Sequence, residues 1–200
     1  MHGLINRAIQ SFVTDTYGLE QWLAVVREAE LETAEFESML IYEDQQTRKA
    51  VTATAKLLNR VETDLLEDIG TYLVSHPHTE PLRRLLRFGG VTFVEFLYSL
   101  DELPDRARLA VSDLNLPHLE LQQQSADRFS LICTSKHAGW GHVMIGVLRA
   151  MADDYGALVF LEHQGGRDTD AKSGGESIEI SLVESAFAEG RHFDLGAGVS

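Results

Sequence analysis

Cysteine, basic residues and long apolar runs are scarce in this 200-residue sequence, and each scarcity excludes a class of protein. The one cysteine, Cys133, has no partner for an internal disulfide, which excludes a disulfide-rich secreted scaffold and is typical of a reducing, cytoplasmic compartment. Lysine and arginine number 17 against 31 aspartate and glutamate residues, for a formal net charge of −14. This acidic balance repels phosphate backbones and anionic lipid, so the sequence predicts neither a nucleic-acid partner nor binding to a membrane surface.

The apolar content is ordinary, but it is divided into short runs. No run approaches the roughly 18 residues of a membrane-spanning helix, and the longest lies near 157–161. Polar residues such as Asn6 and Arg7 interrupt the N-terminal segment, so it lacks the basic-then-apolar layout of a secretory signal. With 44% hydrophobic and 24% charged residues, the composition is that of a globular chain, and about 70% of the unfolded surface of such a chain can be buried.

The first half of the sequence favours helices. Helical spacing of apolar residues and helix-ending residues predict six helices, over 4–13, 19–31, 47–58, 64–74, 80–88 and 92–103. Gly18 is expected to end the first of them, because glycine adopts a left-handed cap at low cost. These segments predict an N-terminal helical lobe over about 1–110.

The second half favours strands. Short β-favouring runs cover 119–121, 129–133, 158–162 and 177–182, and one further helix is expected over 141–155. Because helices precede strands without regular βαβ alternation, the sequence predicts an α+β fold, in which an antiparallel sheet packs with a helix. The sheet lobe is expected over about 111–183, a Gly-, Asp- and Ser-rich loop over 165–176, and a mobile tail over 184–200.

Residue chemistry alone supplies no catalytic or metal-binding constellation. His76 and His78 flank a proline, but two imidazoles cannot complete a tetrahedral zinc site, so a solvated turn is the simpler interpretation. His137 and His142 lack the i, i+4 spacing that would place both on one helical face. The triplet 168–170 begins like a calcium loop, but the following positions lack the required carboxylate and glycine.

Two further features have a simple and a functional interpretation. Gly139 and Gly141 precede a helix and could cradle an anion through backbone N–H groups, although a plain loop explains two glycines equally well. Cys133 could be a nucleophile, but within an apolar strand it is expected to be a buried, inert thiol. Neither a Gly-x-Ser-x-Gly elbow nor a phosphate-binding loop is present in the sequence, so we do not expect an enzyme.

Seven stretches of the sequence, covering 1 to about 183 in order, carry a family resemblance. They are 1–9, 17–22, 41–44, 53–59, 85–90, 96–103 and 141–148. Their order and spacing are similar to those of the heme-nitric-oxide/oxygen-binding (H-NOX) domains, whose animal members are the sensor domains of soluble guanylate cyclase. The resemblance implies a helical lobe and a sheet lobe that clasp a heme.

Three positions depart from the family's heme contacts. The family places an iron-ligating histidine after a Leu-Asp-x-Leu/Val stretch, and here the matching residue is Pro104, which cannot ligate iron and is expected to break or restart the helix. The family's propionate-clamping Tyr-x-Ser-x-Arg motif matches Cys133, Ser135 and His137. The serine is kept, but a phenol donor and a guanidinium fork are lost.

The remaining heme contacts that the resemblance implies are Ile5 in the pocket framework, Pro117 pressing on the heme, and Lys136 near the propionates. His118 is the nearest substitute iron ligand in sequence, with His137 second. Because side chains alternate along a strand and Pro117 takes the inward face, the simpler interpretation of His118 is an exposed strand-end residue.

Two functions follow from the resemblance. The first is a bacterial-type, stand-alone sensor domain that binds heme, held atypically, and through it nitric oxide or another diatomic gas. Its signal would pass to a partner such as a histidine kinase or a diguanylate cyclase. The second is a heme-free regulatory module of the same fold, which binds another apolar ligand or a protein partner.

Overall fold

The computed structural model describes residues 1–166 and 174–191, and its first part is a lobe of helices. The helices are α1 (Gly3–Tyr17), α2 (Leu19–Glu28), α3 (Asp44–Leu57), α4 (Glu62–Ser75), α5 (Glu80–Arg87), α6 (Phe93–Tyr98) and α7 (Leu103–Ala110). Single 3₁₀ turns at Pro77–Thr79 and Leu100–Glu102 precede α5 and α7. None of the described helices is long and apolar enough to cross a membrane.

Glycine and proline set two of the helix ends. Gly18, with a φ of 91°, separates α1 from α2 and caps the end of α1, as expected. The expectation of one continuous helix over 92–103 is wrong, because α6 ends at Tyr98 and a 3₁₀ turn leads into α7. Pro104 lies in the first turn of α7, where its missing N–H would have no helical partner. The helix therefore restarts at the proline.

The second lobe is a four-stranded antiparallel sheet with one long helix against it. The strands are β1 (His118–Gln123), β2 (Arg128–Ser135), β3 (Leu158–Gly166) and β4 (Gly174–Glu184), in the order β1-β2-β4-β3. Helix α8 (Trp140–Tyr155) connects β2 to β3. The α+β fold predicted from the sequence is thereby confirmed.

The β3–β4 hairpin is longer than the sequence predicts. The segment 165–176, expected to be a loop, begins and ends as strand, because Gly166 pairs with Glu176 and β4 starts at Gly174. Glycine weakens a strand, so its pairing here comes from the neighbouring strand rather than from its own propensity. The calcium-like triplet 168–170 lies outside the described residues.

The chain after β4 contacts the end of α8. The N–H of Phe187 donates to the carbonyl of Gly156 at 2.8 Å, and the N–H of Arg191 donates to the carbonyl of Asp154 at 2.9 Å. The described part of the tail expected over 184–200 therefore lies against the sheet lobe.

Two apolar clusters form the core. One lies among α1–α4 around the fully buried Trp22 and Phe36, and the other joins α6, α8 and the sheet around Phe129. Helices α4 and α8 pack backbone to backbone between the clusters, since a Cβ on Gly146 would lie 1.9 Å from the carbonyl oxygen of Glu67. This close contact fixes the helical lobe against the sheet lobe.

Candidate functional site

A cleft of about 510 Å³ opens where the start of α1 faces the end of β2. It is lined by Met1, His2, Ile41, Asp44, Arg108, Asp113, Asn115, Leu116, His118, Thr134, Ser135, Lys136 and His137. All but Met1, Ile41 and Leu116 carry polar or charged side chains. Since the lining comes from both lobes, a ligand in the cleft would contact both.

His2 joins the two lobes on one side of the cleft. Its side chain is only 2% exposed, and its Nδ1 caps α1 by accepting the N–H of Leu4 at 3.2 Å. A ring nitrogen that accepts carries no proton, so the neutral imidazole holds its proton on Nε2. Nε2 faces Asp113 at 3.3 Å, on the segment that leads into β1. This approach is a close contact rather than a hydrogen bond, and it brings the start of α1 against a carboxylate of the sheet lobe.

A second bridge runs through Asp44 at the start of α3. Its Oδ1 accepts a hydrogen bond from the Met1 amine at 2.6 Å, and its Oδ2 lies 3.4 Å from Nε2 of His137. The hydrogen bond from the amine outweighs burial and, together with the charges of His137 and Lys136, holds the pKa of Asp44 below its ordinary value. An ionised Asp44 thus faces the residues that follow β2.

The predicted site residues fall into two groups. Ser135, Lys136, His137 and His118 line the cleft. The others lie in the interior: Pro104, Pro117 and Cys133 are buried, and Ile5 is half-buried in α1. The structure therefore gathers the polar members of the predicted heme site and separates them from its apolar members.

His118 lies on the outer face of the sheet. It pairs with Thr134, whereas the next residue, Leu119, is buried and pairs with Cys133 on the inner face. Its side chain is exposed, as the alternation along the strand predicts. His118 reaches the cleft from its rim, and its role as an iron ligand stays a prediction.

Cys133 is a buried thiol on the inner face of β2. It is 1% exposed, and burial raises its pKa to about 12, with the charge of Glu176 adding to the effect. The thiol is therefore protonated at neutral pH and is neither a nucleophile nor a thiolate ligand. The tyrosine-to-cysteine departure from the family motif replaces a polar clamp by an apolar contact.

Gly139, which caps α8, and Gly141, in its first turn, do cradle an anion, and that anion is the chain's own Glu176. Its carboxylate accepts the N–H of Gly139 at 3.1 Å and that of Gly141 at 3.0 Å. His163 faces the same carboxylate at 3.4 Å and stacks on His142, with ring centroids 4.1 Å apart. The Glu176 carboxylate occupies both backbone N–H groups, so the cradle is closed to an external phosphate.

Sequence reasoning misses the residues that bridge the cleft. His2 and Asp44 lie in two of the stretches that carry the family resemblance, but nothing in the sequence pairs them with Asp113 or His137. The one available signal is His2 directly before the first helical segment, because an N-terminal residue with a side-chain acceptor is a typical cap. The pairing with Asp113 requires the packed fold.

Comparison with known proteins gives one family. The family model described as Haem-NO-binding matches residues 2–163. Soluble guanylate cyclase gcy-31 of Caenorhabditis elegans is 24% identical over 154 residues, which are 77% of this chain and 22% of that protein. Soluble guanylate cyclase 89Db of Drosophila melanogaster is 20% identical over 158 residues, 79% of this chain and 24% of that protein. The chain thus spans about a quarter of the length of these relatives.

Solved structures show the same fold. The Fe(II) unliganded H-NOX protein from K. algicida superposes with a TM-score of 0.76 at 18% identity, covering 97% of this chain and 100% of that one. An oxygen-binding H-NOX domain related to soluble guanylate cyclases gives a TM-score of 0.73 at 13% identity, covering 96% and 100%. Since the family model covers most of the chain and the fold agrees, this chain belongs to the Haem-NO-binding (H-NOX) family.

Proposed function

We propose that this chain is a sensor module that relays ligand binding in the inter-lobe cleft to a partner protein without an iron–histidine bond at position 104. H-NOX domains are sensor domains rather than catalytic ones. The observation that carries the proposal is the pair of bridges across the cleft, His2 to Asp113 and His137 to Asp44, in a chain whose ligating position is Pro104.

The residues present do not fit a heme held by the family's contacts, although heme and gas binding is typical of the family. Pro104 offers no lone pair to iron, and Cys133 is a protonated thiol in an apolar core. The Oγ of Ser135 accepts the N–H of His137, whose ring faces Asp44. A propionate at this clamp would meet an ionised carboxylate in place of a guanidinium.

The bridges give the module its response. A ligand that binds the imidazole of His2 or His137 competes with Asp113 or Asp44 and loosens the contact between lobes on that side of the cleft. It shifts the balance between two lobe arrangements by its difference in affinity for them. The partner that reads the shift is of the kind implied by the resemblance, a histidine kinase or a diguanylate cyclase.

Heme-based sensing of nitric oxide is the second candidate. His118 lines the cleft and has no side-chain partner among the described residues, while Lys136 beside it offers a cation to a carboxylate. Ile5 and Pro117 also keep their family identities. In this alternative the chain's own contribution is an imidazole at the cleft rim rather than on α7.

A hemin titration followed by visible absorption separates the candidates. We expect the wild-type protein to give no saturable Soret band, because Pro104 has no donor for iron and the Cys133 thiol is protonated. His118→Ala, His137→Ala and the exposed control His78→Ala should all match it. A one-to-one Soret band that His118→Ala or His137→Ala removes would establish the second candidate, and a band insensitive to both would reveal a different iron ligand. Either result contradicts the first proposal.

Removing both bridges should loosen the helical lobe at the cleft. In the Asp113→Ala, His137→Ala double variant we expect amide hydrogen exchange to rise several-fold at the start of α1, where Gly3 donates to the carbonyl of Leu40 at 2.7 Å. Exchange within α8 should not change. The control is Asp105→Asn, which loses only an exposed ion pair. Wild-type exchange at α1 in the double variant would show that the bridges do not couple the lobes.

A further inference from the structure

We infer that Asp15, His76 and His78 form a site for a divalent transition-metal ion, zinc being the natural occupant. Asp15 lies near the end of α1, and the two histidines flank Pro77 in the turn after α4. Asp15 lies thirteen positions after His2 along α1, so the site is roughly 20 Å from the cleft. It is therefore a separate site on the helical lobe.

The ligand atoms have the spacing that a metal requires. Oδ2 of Asp15 lies 3.0 Å from Nδ1 of His78 and 3.6 Å from Nδ1 of His76, and all three atoms lie within 4.8 Å of one another. Zinc bonds of about 2.0–2.2 Å at tetrahedral angles place neighbouring ligand atoms roughly 3.4 Å apart. The two distances from Asp15 are therefore already close to the edge length of a tetrahedral site.

The two imidazoles converge on the carboxylate from different directions. Their ring centroids are 4.9 Å apart and their planes meet at 75°, so the in-plane lone pairs can point at one ion. Nδ1 of His76 also accepts the N–H of His78 at a long 3.4 Å, a weak bond that metal binding would replace. His78 is 73% exposed, which leaves a fourth position open to water.

Groups around the site hold its ligands in place. Tyr72 donates its hydroxyl to Oδ2 of Asp15 at 2.6 Å, and its ring stacks on His76 with centroids 4.8 Å apart. Burial alone would raise the pKa of Asp15, but hydrogen bonds from Tyr72 and His78 outweigh it and keep the pKa below its ordinary value. The carboxylate is thus ionised and oriented, as a metal ligand must be. The net charge of −14 further attracts cations.

The sequence argument against zinc in this turn counted only two imidazoles. The packing of α1 against α4 supplies the third ligand, since Asp15 and His76 are 61 positions apart. The turn is therefore not simply solvated. Two histidines and one carboxylate suit borderline ions such as zinc, cobalt and nickel better than calcium or magnesium.

A second histidine cluster provides an internal contrast. His142, His163 and Glu176 are also close enough for a metal, but the two rings are stacked at 4.1 Å with planes only 19° apart, so their lone pairs run parallel. Nδ1 of His163 accepts the N–H of Gly165, and Glu176 is held by two backbone N–H groups. Nδ1 of His163 and the carboxylate of Glu176 are thus already engaged by backbone N–H groups.

Titration of the untagged, chelator-treated chain with cobalt(II), followed by its visible d–d bands, and with zinc by calorimetry tests the assignment. We expect one ion per chain and a rise in the melting temperature. His78→Ala should weaken binding by at least about tenfold, as should Asp15→Asn. His78 is largely exposed, so this variant is expected to fold even if Asp15→Asn does not.

Two matched controls locate the ion. His142→Ala should bind like wild type, and so should the His118→Ala, His137→Ala double variant, which removes cleft imidazoles. The assignment is overturned if the wild-type chain fails to bind zinc at micromolar concentration, if His78→Ala retains wild-type affinity, or if either control abolishes binding.

Discussion

Replacing Asp154 with alanine is expected to lower the free energy of unfolding by about 3–5 kcal/mol, because it removes the buried counterion of a buried guanidinium. Asp154 lies near the end of α8 with 2% of its side chain exposed. Its Oδ1 accepts hydrogen bonds from Nε and Nη2 of Arg83 at 3.0 and 2.8 Å, and its Oδ2 lies 3.6 Å from Nε of Arg87. The pair links α5 to α8.

The charge of Asp154 matters as well as its shape. Burial alone would lower the pKa of the Arg83 guanidinium, but the hydrogen bond and charge of Asp154, with a contribution from Glu80, raise it above its ordinary value. The arginine therefore stays charged in the interior. Asp154→Asn keeps an acceptor oxygen but removes the charge. We therefore expect its free energy of unfolding to lie between those of wild type and Asp154→Ala.

Equilibrium urea unfolding measures this loss. The control is Asp105→Ala, whose carboxylate is 78% exposed and pairs with Arg108 at 3.1 Å, and which should change the free energy of unfolding by less than about 1 kcal/mol. If Asp154→Ala lowers the free energy of unfolding no more than the control does, the buried ion pair does not stabilise the fold as the structure indicates.

Local patterns predict most of the fold. Helical spacing of apolar residues finds the helices of the first lobe except α7, and β-favouring runs find the strands, because each pattern reports which face of an element is buried. The misses share one cause, which is that pairing or packing overrides local preference. Gly166 and Gly174 are strand residues because a neighbouring strand pairs with them, and the helix expected over 92–103 turns to 3₁₀ geometry before α7.

The features of the candidate sites also differ in whether the sequence alone predicts them. The departures at Pro104, Cys133 and His137 are visible in the sequence because they occupy positions of a family motif. The bridges of the cleft and the Asp15 triad are not, since they join residues that only the packed helices bring together. The sequence shows which side chains could bind a metal ion, but only the fold shows which of them come together.

The departures reinforce one another. Pro104 removes the donor to iron, Cys133 fills the inner face of β2 with an apolar contact, and His137 turns toward Asp44. Each change alone would weaken a heme site. Together they leave an apolar core packed on itself and a separate polar cleft, which is why we place the response of the module in the cleft.

Gly146→Ala is expected to lower the free energy of unfolding by about 1–3 kcal/mol, even though alanine is the better helix former. The new methyl group would lie 1.9 Å from the carbonyl oxygen of Glu67 on α4, which no side-chain movement can relieve. Helix α4 approaches α8 just as closely, since a Cβ on Gly70 of α4 would lie 2.0 Å from the carbonyl oxygen of Val143 of α8. Helices α4 and α8 must therefore separate.

Gly175→Ala is the matched control, because the nearest atom to its added methyl group would be the Thr134 hydroxyl oxygen at 3.9 Å. It should leave stability within about 0.5 kcal/mol of wild type in the same urea experiment. Since α4 belongs to the helical lobe and α8 to the sheet lobe, Gly146→Ala should also raise amide exchange along α4, and Gly175→Ala should not. A Gly146→Ala protein as stable as wild type would mean that α4 and α8 do not pack at glycine distance.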